Sequence, residues 1–352
     1  MDKAFRIIDA NINRACEGLR VIEDWFRFSQ EDADLTARLK HLRHSIRNSL
    51  RQFDDEFIRH RLMENDVGLS ISQNEDAGEK KDIITANFKR AQEALRVIEE
   101  NLQQLGYSQS AKQFEQYRFN LYALEKAVQN AAIKKRKQDM LATDIYGITA
   151  SEFSNGRPNV DVVKAMIDAG VRIIQYRAKE KSMKEKFSEC EKIRELTQKA
   201  GVCLIVNDHA DLALLVGADG VHLGQDDLPP EKVRKLVGAE MIIGLSTHSP
   251  QQAGEAVAKG VDYIGVGPLF TTYTKKDVCP PVGLAYLQYV AKNIPLPFVA
   301  IGGIKEDNLA QVIRHGASCV AMVTEIVGAE DIGKKIKTLR KIINEEKERN
   351  GL

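Results

Sequence analysis

Charged residues that could hold a phosphate or a metal ion follow several short apolar runs in the second part of this chain. Arg177 and Lys179 follow one run, Asp208 follows the next, and Asp227 follows the one after that. The planar guanidinium of an arginine grips a pair of anionic oxygens, and a lysine adds a mobile positive charge. One or two carboxylates, water and phosphate oxygens are the ligands that Mg²⁺ prefers in proteins. Together these residues predict a site for a magnesium-bound diphosphate.

The elements that must position these residues form a regular repeat. From Asp144 onwards, a short apolar run, a polar turn and a helical stretch recur eight times. The runs occupy residues 145–149, 172–176, 203–207, 220–223, 241–246, 263–266, 298–301 and 318–323. Strands that alternate with helices predict a parallel sheet, and eight of them predict an α/β fold, a closed (β/α)8 TIM barrel. In such barrels the chemistry lies at the carboxyl ends of the strands and in the loops that follow them.

Structural roles could also explain single members of this set. Asp208 and Asp227 each precede a helical stretch, where aspartate is a favoured N-cap. Arg177 could form a surface ion pair with the nearby Glu180. We favour ligand binding, because neighbouring strands would bring the two aspartates and the basic residues to one barrel mouth. Ser246 ends the fifth run and could bind a phosphate oxygen.

Later loops add residues suited to a second phosphate. The loop after the sixth run is rich in threonines and reaches Lys275, so it could close over a substrate and exclude water. An ordinary exposed loop is the alternative. Gly302-Gly303 follows the seventh run, and Val323-Thr324 ends the eighth. Barrels commonly bind phosphate in these two loops through backbone N–H groups, so a second, monophosphorylated ligand is expected there.

The first part of the chain has a different architecture. Residues 1–133 are predicted to form an all-α domain, residues 134–140 a basic, solvated linker, and residues 141–352 the barrel. Residues 9–23 recur as residues 85–99, with ten of the fifteen positions identical. Two similar helices in one small domain predict a helical bundle with pseudo-twofold symmetry.

Composition excludes several other classes of protein. The chain has 352 residues, with 51 Lys+Arg against 50 Asp+Glu, and this balance gives no general attraction to nucleic acid or to an acidic membrane. The first residues lack the apolar core of a signal peptide, and no apolar run approaches the length of a membrane span. Five scattered cysteines without a Cys-x-x-Cys pair favour a reduced, cytoplasmic protein without structural zinc. A homo-oligomer is compatible with all of these features.

Over roughly residues 141–340, the chain resembles the thiamine phosphate synthase family. The matching motifs are Gln-x-Arg-x-Lys at 175–179, Asn-Asp at 207–208, Asp-Gly-Val-His-x-Gly-Gln-x-Asp at 219–227, Gly-x-Ser at 244–246, Thr-x-Thr-Lys at 272–275 and Gly-Gly-Ile at 302–304. The resemblance implies that hydroxymethylpyrimidine diphosphate is joined to 4-methyl-5-(2-phosphoethyl)thiazole, with release of diphosphate. It also implies Mg²⁺ as the cofactor and small molecules as the partners.

The resemblance further implies roles for individual residues. The residues expected to act in catalysis are Arg177, Lys179, Ser246 and Lys275. Those expected to contact the pyrimidine diphosphate are Gln175, Tyr176, Arg177, Ala178, Lys179, Asn207, Ser246 and Lys275. Those expected to contact the thiazole phosphate are Thr272, Tyr273, Thr274, Gly303, Val323 and Thr324. Asp208 and Asp227 would bind magnesium. At Ala178 the family usually has glutamate, so this chain lacks a carboxylate beside Lys179.

The first 130 residues resemble a helical domain associated with hydroxymethylpyrimidine phosphate kinase activity. Both repeats carry the pattern Asn-x-x-Arg-Ala-x-Glu-x-Leu-Arg-Val-Ile-Glu. The residues that would bind phosphate are Arg14, Arg20, Arg90 and Arg96. The polar segment 64–82 would close over a nucleotide such as ATP. Ion pairs within each helix would also explain these arginines, and no glycine-rich nucleotide loop is evident. A non-catalytic docking or dimerisation module is therefore the alternative.

Two other functions for the barrel are less well supported. A thiazole tautomerase would handle the thiazole phosphate but would need neither a diphosphate site nor magnesium. A non-catalytic sensor of thiamine intermediates would not need them either. The presence of Arg177, Lys179, Asp208, Asp227 and Lys275 together therefore favours the synthase.

Overall fold

The structure is a computed structural model, and it describes residues 2–60, 83–274 and 279–350. Segment 64–82 and Lys275, which were both singled out in the sequence, lie outside these ranges. Among the helices that the structure describes, none is long and apolar enough to cross a membrane.

The chain divides into two compact units, Met1–Ala132 and Ile133–Leu352. The helices that begin in the first unit are α1 (Asp2–Phe28), α2 (Ala33–Ser49), α3 (Asp54–His60), α4 (Ile83–Gln104) and α5 (Ser108–Leu141). Their apolar residues recur at helical spacing and meet in one core that includes Leu19, Phe88 and Phe114. The predicted all-α architecture of this part is confirmed.

The sequence repeat places equivalent residues on α1 and α4, which pack against each other. Asn11 and Asn87 are both buried, and the amide nitrogen of each donates to a carbonyl oxygen one turn earlier, at 2.8 Å. At Gly18 a Cβ atom would lie 3.0 Å from the carbonyl oxygen of Asn87, so the glycine permits a close approach of the two helices. The repeated residues therefore form the centre of this unit.

The second unit is a barrel of eight parallel strands in sequence order. The strands are β1 (Tyr146–Ile148), β2 (Ile173–Tyr176), β3 (Cys203–Asn207), β4 (Gly220–Leu223), β5 (Ile242–Thr247), β6 (Tyr263–Val266), β7 (Phe298–Ile301) and β8 (Val320–Ala321). A parallel bridge between Ile145 and Val320 joins the last strand to the start of the first. Each strand overlaps one of the predicted runs, which confirms the (β/α)8 fold.

Helices surround the strands. They are α6 (Asn159–Asp168), α7 (Met183–Ala200), α8 (Ala210–Leu215), α9 (Pro230–Val237), α10 (Pro250–Ala258), α11 (Gly283–Asn293), α12 (Leu309–Arg314), α13 (Val323–Val327) and α14 (Ile332–Asn350). Successive strand residues face alternately outwards, against these helices, and inwards. The inward residues form an interior cluster that includes Tyr146, Ile205, Tyr263 and Val299. Part of this cluster forms the floor of a cavity at the carboxyl ends of the strands.

The basic run 134–137 lies in the last turns of α5. Lys137 is only 6% exposed, and its ammonium group donates to both carboxylate oxygens of Asp262 at 3.0 Å. Burial lowers the pKa of Lys137, and the Asp262 carboxylate opposes that effect. Arg234 donates to the same carboxylate. The expectation of a solvated run is therefore wrong for Lys137, because a distant acidic residue neutralises it.

Removing the Asp262 carboxylate should destabilise the barrel by about 3 kcal/mol, because Lys137 would keep a buried charge without its partner. Urea unfolding of the full-length Asp262→Ala variant, followed by circular dichroism, measures this change. Asp139→Ala is the control, since it removes an exposed carboxylate that pairs with Lys135 at 3.2 Å. That variant should change the free energy of unfolding by less than about 1 kcal/mol. Equal effects of the two variants would contradict the buried role of Asp262.

Candidate active site at the barrel mouth

The carboxyl ends of the strands enclose a cavity of about 370 Å³. All eight strands, or the loops that follow them, contribute to its walls. The lining residues that were singled out in the sequence are Gln175, Arg177, Lys179, Asn207, Asp208, Asp227, Ser246, Thr272, Thr274, Gly303, Val323 and Thr324. The structure thus brings these residues to one place, while their individual roles remain predictions.

Three other residues singled out in the sequence have side chains away from this cavity. Tyr176 lies in the layer between strands and helices, where its hydroxyl donates to Glu189 at 2.8 Å. Ala178 is buried in the same layer, and Tyr273 is 89% exposed. These three side chains do not line the cavity, and a role of these residues in substrate binding stays a prediction. For Tyr176 the reason is strand alternation, since its neighbour Gln175 faces the barrel interior.

Arg177 is held at the cavity wall by residues from two loops. The Thr149 hydroxyl accepts a hydrogen bond from the Arg177 backbone N–H at 2.8 Å and donates to the Arg177 carbonyl at 3.0 Å. The guanidinium donates to a carboxylate oxygen of Glu152 at 2.8 Å and to the carbonyl oxygen of Thr274 at 3.5 Å. Its ion pair is therefore with Glu152 and not with Glu180, as the surface interpretation expected. These contacts orient a positive charge at the cavity wall.

Asp208 and Asp227 come together after β3 and β4, which are adjacent in the barrel. Their side chains share a hydrogen bond, and the pKa of Asp208 is raised, first by burial and then by the negative charge of Asp227. Lys179 and His209 oppose that rise. The Asp227 carboxylate also accepts a hydrogen bond from the Gly224 backbone N–H at 2.6 Å. Two carboxylates this close repel each other unless a proton or a cation lies between them.

Neither aspartate caps the helix that follows it. The N-cap residue of α8 is His209, and that of α9 is Pro229. The capping interpretation is therefore wrong for both aspartates. Asp208 has a φ of 63°, a left-handed backbone conformation that is uncommon outside glycine, although aspartate adopts it more often than most other residues. Such conformations cluster at functional sites, so this one supports a role for Asp208 in the chemistry.

The aspartate pair suits a cation that takes only some of its ligands from protein. In residues 2–60, 83–274 and 279–350, no group of three or more His, Cys, Asp or Glu side chains could hold a metal ion. Mg²⁺ commonly binds one or two carboxylates and completes its octahedron with water and phosphate oxygens. Asp208 and Asp227 therefore fit Mg²⁺ better than they fit a zinc site, which needs more protein ligands.

The loop after β6 packs against the turn after β7, and backbone hydrogen bonds join the two segments. Gly303 in that turn has a φ of 65°, and a Cβ atom there would lie 2.6 Å from the carbonyl oxygen of Thr271. Glycine is thus required for this approach. The loop then presents Thr272 and Thr274 to the cavity, with their hydroxyl oxygens 2.8 Å apart.

A buried polar group on the cavity floor was not expected from the sequence. The hydroxyl oxygens of Tyr146 and Tyr263 are 2.7 Å apart, and His222 Nδ1 lies 2.9 Å from the Tyr263 hydroxyl. Both tyrosines occupy inward-facing strand positions. A buried tyrosine hydroxyl needs a hydrogen-bond partner, so the alternation of the strands was a usable signal.

The arginines expected at a phosphate site in the helical unit are exposed. They are Arg14, Arg20, Arg90 and Arg96. Arg20 pairs with Asp24 at 3.0 Å, and Arg96 pairs with Glu100 at 2.8 Å, each on its own helix. Arg20 and Arg96 therefore form the ion pairs within one helix that the alternative interpretation expected.

A more buried ionic contact occurs in both repeats and was not anticipated. Glu23 is 2% exposed and accepts a hydrogen bond from Arg43 at 2.8 Å. Its equivalent in the second repeat, Glu99, accepts a hydrogen bond from Arg118 at 3.0 Å. Each glutamate thus holds an arginine from the next helix along the described chain.

Comparison with known proteins separates the same two parts of the chain. Residues 145–326 match the family described as thiamine monophosphate synthase, and residues 6–127 match the ThiD2 family. A thiamine-phosphate synthase of Pelotomaculum thermopropionicum is 67% identical over 58% of this chain and 94% of its own length.

Similarity also extends over nearly the whole chain. A thiamine-phosphate synthase of Thermosynechococcus vestitus is 40% identical over 93% of this chain and 91% of its own length. Among solved structures, a thiamine phosphate pyrophosphorylase from Pyrococcus furiosus has a TM-score of 0.54 and 34% sequence identity. That match covers 59% of this chain and 98% of the other.

Proposed function

Because this chain belongs to the thiamine monophosphate synthase family, we propose that its barrel is a transferase that joins hydroxymethylpyrimidine diphosphate to thiazole phosphate. The observation that carries this proposal is the grouping of Arg177, Lys179, Asp208 and Asp227 around one cavity. A tautomerase or a sensor would have no use for such a group, because neither releases a diphosphate.

The chemistry follows from the charges at the cavity. The bond between the pyrimidine methylene carbon and the diphosphate oxygen breaks, and the thiazole nitrogen bonds to that carbon. Arg177 and Lys179 stabilise the negative charge that develops on the diphosphate. Asp208 and Asp227 would hold Mg²⁺, which when bound neutralises diphosphate oxygens. No side chain is needed as a nucleophile.

The second substrate would occupy the part of the cavity formed after β6, β7 and β8. Thr272 and Thr274 offer hydroxyl groups, and Gly303, Val323 and Thr324 offer backbone N–H groups for the thiazole phosphate. We place the reaction in the cytoplasm, where the cysteines of the described chain, which form no disulfide, would stay reduced.

The test is a synthase assay of the full-length chain with synthetic pyrimidine diphosphate, thiazole phosphate and magnesium. Thiamine phosphate and diphosphate should form in equal amounts. A folded chain that forms neither product would rule the proposal out.

We further propose that the helical unit phosphorylates hydroxymethylpyrimidine monophosphate and so makes the barrel's substrate. The match of residues 6–127 to the ThiD2 family supports this role, as do the paired arginines of the repeat. The γ-phosphoryl group of a nucleoside triphosphate would pass to a phosphate oxygen of the pyrimidine substrate. A docking module remains the second candidate, favoured by the ion pairs of Arg20 and Arg96 within their own helices.

The full-length chain, given the monophosphate, ATP and magnesium without thiazole phosphate, should accumulate the diphosphate, which phosphorus NMR detects. Arg20→Ala and Arg96→Ala should each lower this rate by about tenfold or more, because each removes charge-assisted hydrogen bonds to a phosphate. Neither should change synthase activity on supplied diphosphate. Arg38→Ala is the control, since Arg38 forms an exposed pair with Asp34 at 3.3 Å. Absence of phosphoryl transfer from every common nucleoside triphosphate would leave the docking module as the function.

A further inference from the structure

Five side chains form a continuous hydrogen-bonded series across the cavity floor, which we call the floor chain. Gln175 Nε2 donates to the Tyr146 hydroxyl at 3.1 Å, and the Tyr146 and Tyr263 hydroxyl oxygens are 2.7 Å apart. The Tyr263 hydroxyl lies 2.9 Å from His222 Nδ1, and His222 Nε2 lies 3.0 Å from Ser246 Oγ. The two ends, Gln175 and Ser246, are residues expected to contact the pyrimidine.

The barrel interior is built around this series. Tyr146, Gln175 and Tyr263 are 2%, 4% and 1% exposed. At Gly244 a Cβ atom would lie 2.2 Å from Cζ of Tyr263, so the glycine leaves the space that the ring occupies. Burial raises the pKa of both tyrosines well above the usual value, so both hydroxyls keep their protons. A buried donor without an acceptor is destabilising, so each of these protons needs a partner.

With the Gln175 amide nitrogen facing the Tyr146 hydroxyl, these requirements give the floor chain one direction. The Gln175 amide nitrogen can only donate, so the Tyr146 oxygen accepts and the Tyr146 proton goes to Tyr263. The Tyr263 proton goes to His222 Nδ1, so Nε2 carries the imidazole proton and donates to Ser246 Oγ. The Ser246 hydroxyl is then left as a donor to the cavity. The Gln175 amide oxygen is left as an acceptor.

We propose that the floor chain selects an aminopyrimidine over the corresponding oxopyrimidine, and that Tyr146, Tyr263 and His222 are the positioning residues for this selection. The inference rests on the proposed synthase function. An amino group beside a ring nitrogen offers one donor and one acceptor, which complement the Gln175 oxygen and the Ser246 hydroxyl. The oxo analogue offers the opposite pattern. Binding it equally well would require every hydrogen bond of the floor chain to reverse together.

The experiment measures inhibition of thiamine phosphate formation, without any nucleoside triphosphate, by the 4-amino and 4-oxo forms of hydroxymethylpyrimidine monophosphate, which carry no diphosphate leaving group. In the full-length wild type, the inhibition constant of the oxo form should exceed that of the amino form by about 100-fold. Tyr263→Phe removes the hydroxyl that joins Tyr146 to His222, so this ratio should fall by about tenfold. Because inhibition is read in the synthase reaction on supplied diphosphate, binding of either analogue to the helical unit does not affect the result.

Tyr286→Phe is the matched control. Tyr286 is 6% exposed, and its hydroxyl donates to Thr247 Oγ1 at 2.7 Å; neither residue lines the cavity or belongs to the floor chain. This variant loses a buried hydroxyl of the same kind and should keep the wild-type ratio. An unchanged ratio in Tyr263→Phe, or an equal fall in both variants, would overturn the inference. A wild-type chain without synthase activity would reject the proposed function, and the inference with it.

Nitrogen-15 NMR of the histidine side chains gives an independent readout. His222 should show a protonated Nε2 and an unprotonated Nδ1 at neutral pH, with its signals assigned by their loss in His222→Gln. The Nδ1 signal should move in Tyr263→Phe and stay in place in Tyr286→Phe. A wild-type His222 protonated on Nδ1 alone would contradict the direction of the floor chain.

Discussion

Replacing Asp227 by alanine should lower the turnover of thiamine phosphate synthesis by roughly 1,000-fold, because the leaving diphosphate would lose a ligand of its magnesium ion. The fold should persist, since the Asp227 carboxylate lies at the cavity and contacts Gly224 and Asp208 rather than the apolar core. Turnover is measured with supplied pyrimidine diphosphate at saturating magnesium, and thermal unfolding is measured beside it.

The control for this variant is Asp211→Ala. Asp211 is an exposed aspartate in the first turn of α8, close in sequence to Asp208. Its removal should leave turnover unchanged. In the wild type, excess chelator should abolish activity and added magnesium should restore it. Full activity of Asp227→Ala, or of the wild type in excess chelator, would remove the magnesium assignment.

Arg177→Ala should lower turnover by roughly 100-fold or more, because in the proposed reaction the guanidinium would stabilise the charge that develops as the diphosphate leaves. Arg177→Lys should recover only part of this loss, since lysine keeps the charge but cannot offer two parallel N–H donors. Turnover and KM are measured separately for each variant. A loss confined to KM would mean that Arg177 binds the substrate and the transition state equally.

Glu152→Gln tests whether Arg177 acts by stabilising the leaving diphosphate or only through its ion pair with Glu152. Glu152 forms the ion pair that orients the guanidinium, at 2.8 Å. Losing that carboxylate should change turnover by less than about tenfold, because the pair is partly exposed and the arginine charge remains. Equal losses in Glu152→Gln and Arg177→Ala would show that the ion pair, and not stabilisation of the leaving group, explains the effect.

The strands could be predicted because each is a short apolar run bounded by polar turns. The run at 318–323 was too long, since Val320–Ala321 alone is strand and Val323 already begins α13. The burial of Lys137 could not be predicted. Its partner, Asp262, is 125 residues away along the chain, and only the folded barrel brings the two together.

The cavity could be predicted to the extent that it depends on strand order. Asp208 and Asp227 follow neighbouring strands, and a parallel barrel places such residues side by side. The floor chain depends instead on closure of the barrel, because Tyr146 and Tyr263 belong to strands that are not neighbours. Their contact also needs the space left by Gly244, which no single motif reveals.

At Asp208, the left-handed backbone lowers the stability of the fold, whereas the carboxylate would serve the proposed reaction. Glycine would adopt a φ of 63° without the strain of about 1 kcal/mol that aspartate bears, and asparagine would end the repulsion with Asp227. Selection for heat resistance alone would therefore favour residues that bind a cation less tightly than a carboxylate does. If Asp208 binds magnesium as proposed, its cost to stability would be retained because catalysis requires the carboxylate.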